Sequence, residues 1–252
     1  MRAPRSIAME TIRHVVLLIG AAVILFPFVY MLSVSFKGPD EIVSNSGGFF
    51  GNQVAVVDEI CAASQAPEEC LMTPVIYNYS RALFGNPLLR YLLNGVIVTV
   101  SIFLIQVIIA LPCAYALAKL KFWGRDAVFA LVLFCLLVPV HAIGIPIYIG
   151  LAKLGMLNSY AALVLPWTIS VFGIFLMRQF FMTVPDDLVD AARMDGMSEF
   201  SIIWRVMLPT AVPALTAFAI FSVVAHWNDY FWPRMVVTGN QNLFPPPLGI
   251  RE

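Results

Sequence analysis

Residues 91–118 read YLLNGVIVTVSIFLIQVIIALPCAYALA, and Lys119 and Lys121 close the run. No charged side chain interrupts it. A bilayer core takes about 20 apolar residues per helix, so this stretch is long enough to cross one. A strand is excluded on two grounds. Backbone groups cannot stay unpaired in lipid, and the alternation expected of a membrane barrel is missing.

The same pattern extends in both directions. Val15–Phe36 is a second uncharged block, closed by Lys37. Ala127–Ala152 is a third and contains Pro139 and Pro146; Tyr160–Met177 is a fourth, closed by Arg178. Val206–Phe231 makes a fifth, with Asp229 near its end. Of the 252 residues 60% are apolar and 12% charged, against about 45–50% and about 25% in a soluble domain. Fifteen basic and fifteen acidic residues cancel, so net charge makes no case for nucleic acid. The expectation is an all-α membrane protein, a polytopic helical bundle.

Basic residues set its orientation. With a cytoplasmic N-terminus, the inside segments are 1–14, 119–126 and 178–205. They hold nine Lys/Arg, against six outside. Residues 15–36 are then the first transmembrane span, 37–90 an extracytoplasmic loop, and 91–252 the remaining core. The basic start does not make a cleavable signal. The apolar run after it is too long, and no small-residue cleavage site follows. Cys61 and Cys70 lie in the outer loop, nine positions apart. They are spaced to close a small disulfide loop if that side is oxidising; two free thiols are the alternative. Cys113 and Cys135 lie inside apolar blocks and read as small hydrophobes.

Residues 183–210 read TVPDDLVDAARMDGMSEFSIIWRVMLPT, a long polar insertion on the inside face. Pro185 suits the start of a helix, and Asp186 and Asp187 complement the positive end of its dipole. Helical spacing puts Ala192, Gly196 and Glu199 along one side. Leu188, Val189 and Phe200 supply apolar anchors. Gly196 costs about 1 kcal/mol inside a helix, so it reads better as the end of one short helix and the start of a turn. A helix lying on the bilayer is one reading. Such helices usually carry a Lys/Arg-rich face, whereas this segment has Asp186, Asp187, Asp190, Asp195 and Glu199 against Arg193 and Arg205. A cytoplasmic protein partner fits the charge better.

The segment resembles the EAA motif of ABC importer permeases, EAA-x3-G-x9-I-x-L-P. Here the motif is Asp190-Ala191-Ala192, then Gly196 after three residues, Val206 after nine more, and Leu208-Pro209. Every spacing holds, with Asp for Glu and Val for Ile. Asp195-Gly196 with Leu208-Pro209 is similar to the carbohydrate-uptake subgroup. So is Trp227-Asn228-Asp229-Tyr230-Phe231-Trp232-Pro233, which matches that subgroup's WN-[DE]-x3-P stretch. Ala114–Ala118 and Pro166 extend the likeness. The resemblance implies the type I importer permease fold. It also implies that Asp190, Ala191, Ala192, Asp195, Gly196, Leu208 and Pro209 couple to an ATP-binding subunit. The implied partners are a second homologous permease, two ATP-binding cassette subunits and an extracytoplasmic solute-binding protein. The implied location is the bacterial inner membrane, and the implied cargo a carbohydrate. No G-x4-G-K-[ST] loop occurs, so ATP and Mg belong to partner subunits and this chain carries no cofactor of its own. The subgroup usually has six spans. Gln241–Glu252 reads as the outer loop before the last one, so the chain is expected to show five of six.

Asp229 sits at the edge of a membrane block, and intramembrane carboxylates are functional hypotheses by default. Two readings stand. Trp227, Asn228, Asp229 and Tyr230 line the solute's path, or they form an interfacial aromatic belt with a capping Asp. His141 and His226 are lone histidines with no metal cluster around them. No catalytic set is present, so an enzyme has no candidate residues. The alternatives to sugar import are a non-transport membrane scaffold or sensor, or a permease for glycerol phosphate.

Overall fold

The structure, a computed structural model, describes residues 7–37, 39–44, 48–49, 78–79, 81–85 and 87–251. Cys61 and Cys70 lie outside the described residues. Every regular element described is helical. The chain divides into two compact units, Met1–Pro87 and Leu88–Glu252.

In the first unit α1 (Ile7–Val34) is followed by the short α2 (Pro39–Ser44) and a π-helical turn at Arg81–Gly85. The Ser33 hydroxyl donates to the Phe49 carbonyl, and the Asn78 amide donates to the Ser35 carbonyl at 3.2 Å. Residues on both sides of segment 50–77 thus return to the end of α1.

The second unit is built on α3 (Leu88–Lys119). Around it run α4 (Arg125–Leu137), α5 (Val140–Lys153), α6 (Tyr160–Val164, continued by a 3-10 turn to Trp167) and α7 (Val171–Thr183). Then come α8 (Asp186–Met194), α9 (Glu199–Ile202), α10 (Leu208–Thr210) and α11 (Val212–Trp227). Last are α12 (Phe231–Val236) and α13 (Pro246–Gly249). Among the described residues, two helices have the length and apolarity to cross a membrane, Met9–Val34 and Leu88–Lys119; three bent pairs raise the number to five if each pair is one span. These five fall where the apolar blocks fall.

Proline and local capping account for the bends. Before Pro139, Val138 is extended, as the residue before a proline prefers, and α4 ends there. The α6–α7 pair bends by 41°. Its break is closed by the Ser170 hydroxyl, which accepts the Gly173 N–H and caps α7. The pair Glu199–Thr210 and Val212–Trp227 bends by 85°. Pro209 has no N–H, and its ring crowds the carbonyl four residues back. The turn before it widens into a π-helix at Ile203–Met207, where the Leu208 N–H reaches the Ile203 carbonyl. The fifth apolar block is therefore broken by this corner: Val206–Leu208 lie on the arm before it, and Val212 begins the helix after it.

The core follows α3 from end to end. Near its start Tyr91, Val98 and Ile102 pack with Ala162–Val164, Trp232 and Leu248. Near its end Leu111, Ala114 and Tyr115 pack with Phe181, Val189, Ala192, Ile202 and Met207. Between them Ala110 and Leu117 meet Ile174 and Phe218. The Phe218 ring lies so close to Gly173 that no Cβ fits there, which lets α7 and α11 cross tightly.

Buried amides hold the bundle together. The Gln106 amide donates to the Trp167 carbonyl at 2.7 Å, and its oxygen accepts the Ser222 hydroxyl at 2.7 Å. Asn94 donates to the carbonyls of Asn242 and Phe244 and accepts the Tyr160 hydroxyl. The stretch after α12 thus packs back onto the start of α3.

Candidate functional site

The acidic insertion folds as a knob at the Lys119 end of α3. Its inner side is apolar. Val189 is 2% exposed and Ala192 6%, and both pack beneath α3 with Phe181 and Met207. Its outer side shows Asp190, Ala191, Asp195 and Gly196 to solvent, with Leu188, Met194 and Phe200 exposed beside them.

Gly196 shapes the turn. Its φ is +76°, in the left-handed region that glycine enters without penalty. Its N–H donates to the Arg193 carbonyl at 2.9 Å, and the Met197 N–H donates to the Ala192 carbonyl at 3.1 Å. That pair of bonds is a Schellman cap, which satisfies the last carbonyls of α8. A Cβ on Gly196 would meet nothing within 4 Å. The backbone angle, not crowding within this chain, requires glycine. Gly196 ends α8, as its residue type predicts. The single stripe expected of Ala192, Gly196 and Glu199 does not form, because that cap separates them. Ala192 faces the core, Gly196 faces solvent, and Glu199 opens the next helix.

Two polar clamps tie the knob to α3. The buried Lys119 ammonium donates to the Val184 carbonyl at 2.6 Å and to Asp186 Oδ1 at 2.5 Å. One turn earlier, the Tyr115 hydroxyl donates to Glu199 Oε2 at 2.5 Å. Arg193 completes the second clamp. Its Nε donates to Glu199 Oε1 at 2.8 Å, and its Nη1 donates to Asp190 Oδ1 at 3.0 Å. Charge follows geometry. The Lys119 hydrogen bond holds the Asp186 carboxyl below the usual carboxylate range. The Arg193 hydrogen bond, helped by Tyr115, holds Glu199 below it too, and Glu199 in turn keeps Arg193 firmly protonated. Tyr115 was not singled out by composition. Its signal was a hydroxyl four residues before Lys119, on the same helical face of an apolar block.

Downstream, Leu208 and Pro209 sit on the arm before the 85° corner, Leu208 half-buried and Pro209 exposed. At the far end of α11, the Asn228 amide donates to the Val224 carbonyl at 2.8 Å. Asp229 Oδ1 accepts the Trp232 N–H, in the first turn of α12, at 3.2 Å. Arg251 lies over the Tyr230 ring, and Trp227 packs near Gly95. Asp229, His226 and Thr99 line a narrow cleft with Trp167 and Trp232. His226 bonds the Ser222 carbonyl through Nδ1 at 2.7 Å. Among the described residues no group of three or more His, Cys, Asp or Glu is placed to hold a metal.

The bundle is that of a polytopic helical membrane protein. Residues 106–251 match the family described as binding-protein-dependent transport system inner membrane component. The chain belongs to that family, the permeases of ABC importers, and is one subunit of a multi-subunit transporter of the inner membrane.

Its relatives carry different cargoes. The arabinooligosaccharides transport system permease protein AraQ of Halalkalibacterium halodurans is 29% identical over 235 residues, covering 91% of this chain and 76% of that one. The sn-glycerol-3-phosphate transport system permease protein UgpE of Salmonella typhi is 31% identical over 245 residues, covering 94% and 79%. A solved bacterial ABC transporter involved in the import of the acidic polysaccharide alginate superposes with a TM-score of 0.72. At 24% identity, over 99% of this chain and 81% of that one, it shares the fold.

Proposed function

We propose that this chain forms one side of the translocation path of a carbohydrate importer and docks on an ATPase subunit through residues 183–210. The observation that carries the proposal is the two-sided knob. Its inner side is packed and clamped to α3, and its outer side pairs small residues with exposed Leu188, Met194 and Phe200. Such a surface suits a protein groove. Asp190, Ala191, Ala192, Asp195, Gly196, Leu208 and Pro209 form or support it. The knob then lies in the cytoplasm, and so does the N-terminus. The complex comprises a second permease of this family, two ATP-binding cassette subunits that hold ATP and Mg, and an extracytoplasmic binding protein.

A sugar is the favoured cargo. The relatives' names speak of arabinooligosaccharides, alginate and glycerol phosphate, and the motif variants are those of the carbohydrate subgroup. Trp227, Asn228, Asp229 and Tyr230 belong to its path. The cleft beside Asp229 supports this, because among the described residues the buried Thr99 hydroxyl there has no protein partner and is suited to a hydroxyl-bearing guest or a water. Glycerol phosphate is the second reading, through the UgpE relatives.

Purification of the tagged chain from its own membranes tests the assembly. A detergent-stable complex with a Walker-A protein supports it, and a chain isolated without one favours a scaffold or sensor. Loss of sugar uptake in a Gly196 variant that still inserts in the membrane supports the docking role, and normal uptake overturns it.

A further inference from the structure

The turn between α3 and α4 carries an exposed aromatic pair. Trp123 is 99% exposed and Phe122 43%. Leaving such rings in water forgoes the gain of burying them. Rings of this kind, Trp above all, settle at the level of lipid headgroups. The helix that follows supports that depth. Val128, Leu131, Phe134 and Leu137 of α4 are exposed, a surface suited to acyl chains, and Arg125 and Asp126 stand at its polar end.

Basic groups gather at the same turn. Lys121 and Arg125 line a shallow hollow with the aromatic pair. Arg178 of α7 approaches from behind. Its guanidinium lies 3.6 Å from the Phe129 ring centroid, and Phe129 is one helical turn after Arg125 on the same face. The Arg178 Nε donates to the Leu117 carbonyl at 3.2 Å. Arg178 is 8% exposed, yet among the described residues it makes no ion pair with a carboxylate. Asp126 is already paired with Arg125 at 3.3 Å, and Asp186 with Lys119. Among the described residues, the ion pairs made by Lys119, Lys121, Arg125 and Arg178 involve two carboxylates, Asp126 and Asp186.

A buried cation needs a counter-charge, and one at a membrane boundary finds it in a phosphate. We propose that this turn binds the headgroup phosphate of an anionic phospholipid, with Lys121, Arg125 and Arg178 as its cationic partners and Trp123 and Phe122 set among the neighbouring headgroups. A lipid fits better than a soluble protein because the basic cluster sits at the end of a helix with an apolar, exposed surface. The proposal needs only membrane residence, not the docking role of the knob.

The test uses the assembled transporter in mild detergent, titrated with phosphatidylglycerol or phosphatidylcholine while native mass spectrometry counts bound lipid. The wild type should hold phosphatidylglycerol more tightly. K121Q/R125Q should weaken phosphatidylglycerol binding about tenfold and leave phosphatidylcholine unchanged, whereas W123A should weaken both. Equal binding of the two lipids by the wild type overturns the proposal, as does undiminished phosphatidylglycerol binding by K121Q/R125Q. Displacement of the lipid by an equal concentration of inorganic phosphate overturns it in favour of a soluble-anion site. Loss of the ATPase from K121Q/R125Q with lipid retained overturns it in favour of a protein contact.

Discussion

The Tyr115 hydroxyl and the Glu199 carboxylate, 84 positions apart, meet at 2.5 Å. Tyr115 is 1% exposed and belongs to the central span, and Glu199 opens the arm that leads to α11. With Lys119 and Asp186 one turn further along α3, the bond secures both ends of the acidic segment to one helix. Displacement of that segment is therefore displacement of α3.

Tyr115→Phe removes this bond while keeping the packed ring. A hydrogen bond to a charged group contributes about 1.5–3 kcal/mol, so amides around 197–202 should exchange roughly ten- to a hundredfold faster. Amides of α7 should not change. Hydrogen–deuterium exchange on the purified complex reads both. Unchanged exchange at 197–202 would show that Arg193 alone holds Glu199.

Glu199 and Asp186 both have depressed carboxyl groups, each held by a cationic partner. A depressed carboxyl contributes stability above its unfolded value, and that stability is lost as pH falls through the folded one. The knob should therefore stay docked on α3 from neutral pH down to the ordinary carboxylate range and loosen only in stronger acid. The distance between spin labels placed on α3 and α8, read across that pH range, follows it. Loosening near pH 6.5 would point to a histidine instead.

At Gly196 two substitutions separate backbone from surface. Ala at φ +76° carries about 1–2 kcal/mol of strain, whereas Asn tolerates that region. Gly196→Asn should keep the complex's melting temperature close to wild type. If the outer face docks on a partner, both variants lose uptake. Full uptake by Gly196→Asn would reduce the glycine to a cap.

Gln106 bridges the Trp167 carbonyl and the Ser222 hydroxyl inside the bundle. Gln106→Leu should cost about 1 kcal/mol for each partner left unpaired, the scale of such bonds in membrane bundles. Ser222→Ala in the same background should cost less than it does alone. Thermal melts of the four combinations in detergent give the coupling. Strict additivity would mean that water replaces the amide.

The spans were legible because about 20 apolar residues in a row have few other uses. The cap at Gly196 was legible because a glycine after a short acidic helix has one common role. The corner at Ala211 was not. Val206, Met207 and Leu208 are as apolar as the span they precede, but Met207 is fully buried with Ile202 in the chain's own core. Hydropathy does not distinguish a residue facing protein from one facing lipid. The Tyr115–Glu199 clamp was only half legible: the Tyr115 hydroxyl shares a face with Lys119, but nothing local to either residue names a partner 84 positions away.

The right-angled corner makes the arm from Glu199 to Thr210 a crank. At 1.5 Å per residue it is about 18 Å long, so a sideways shift of about 3 Å at its Glu199 end is a rotation of roughly 10° at the elbow. The elbow is stiff, because Ala211 is fully buried and its N–H is shared by the Met207 and Leu208 carbonyls. On the docking proposed above, a force applied at the arm would therefore reach α11 as a change of tilt rather than being lost in a floppy joint.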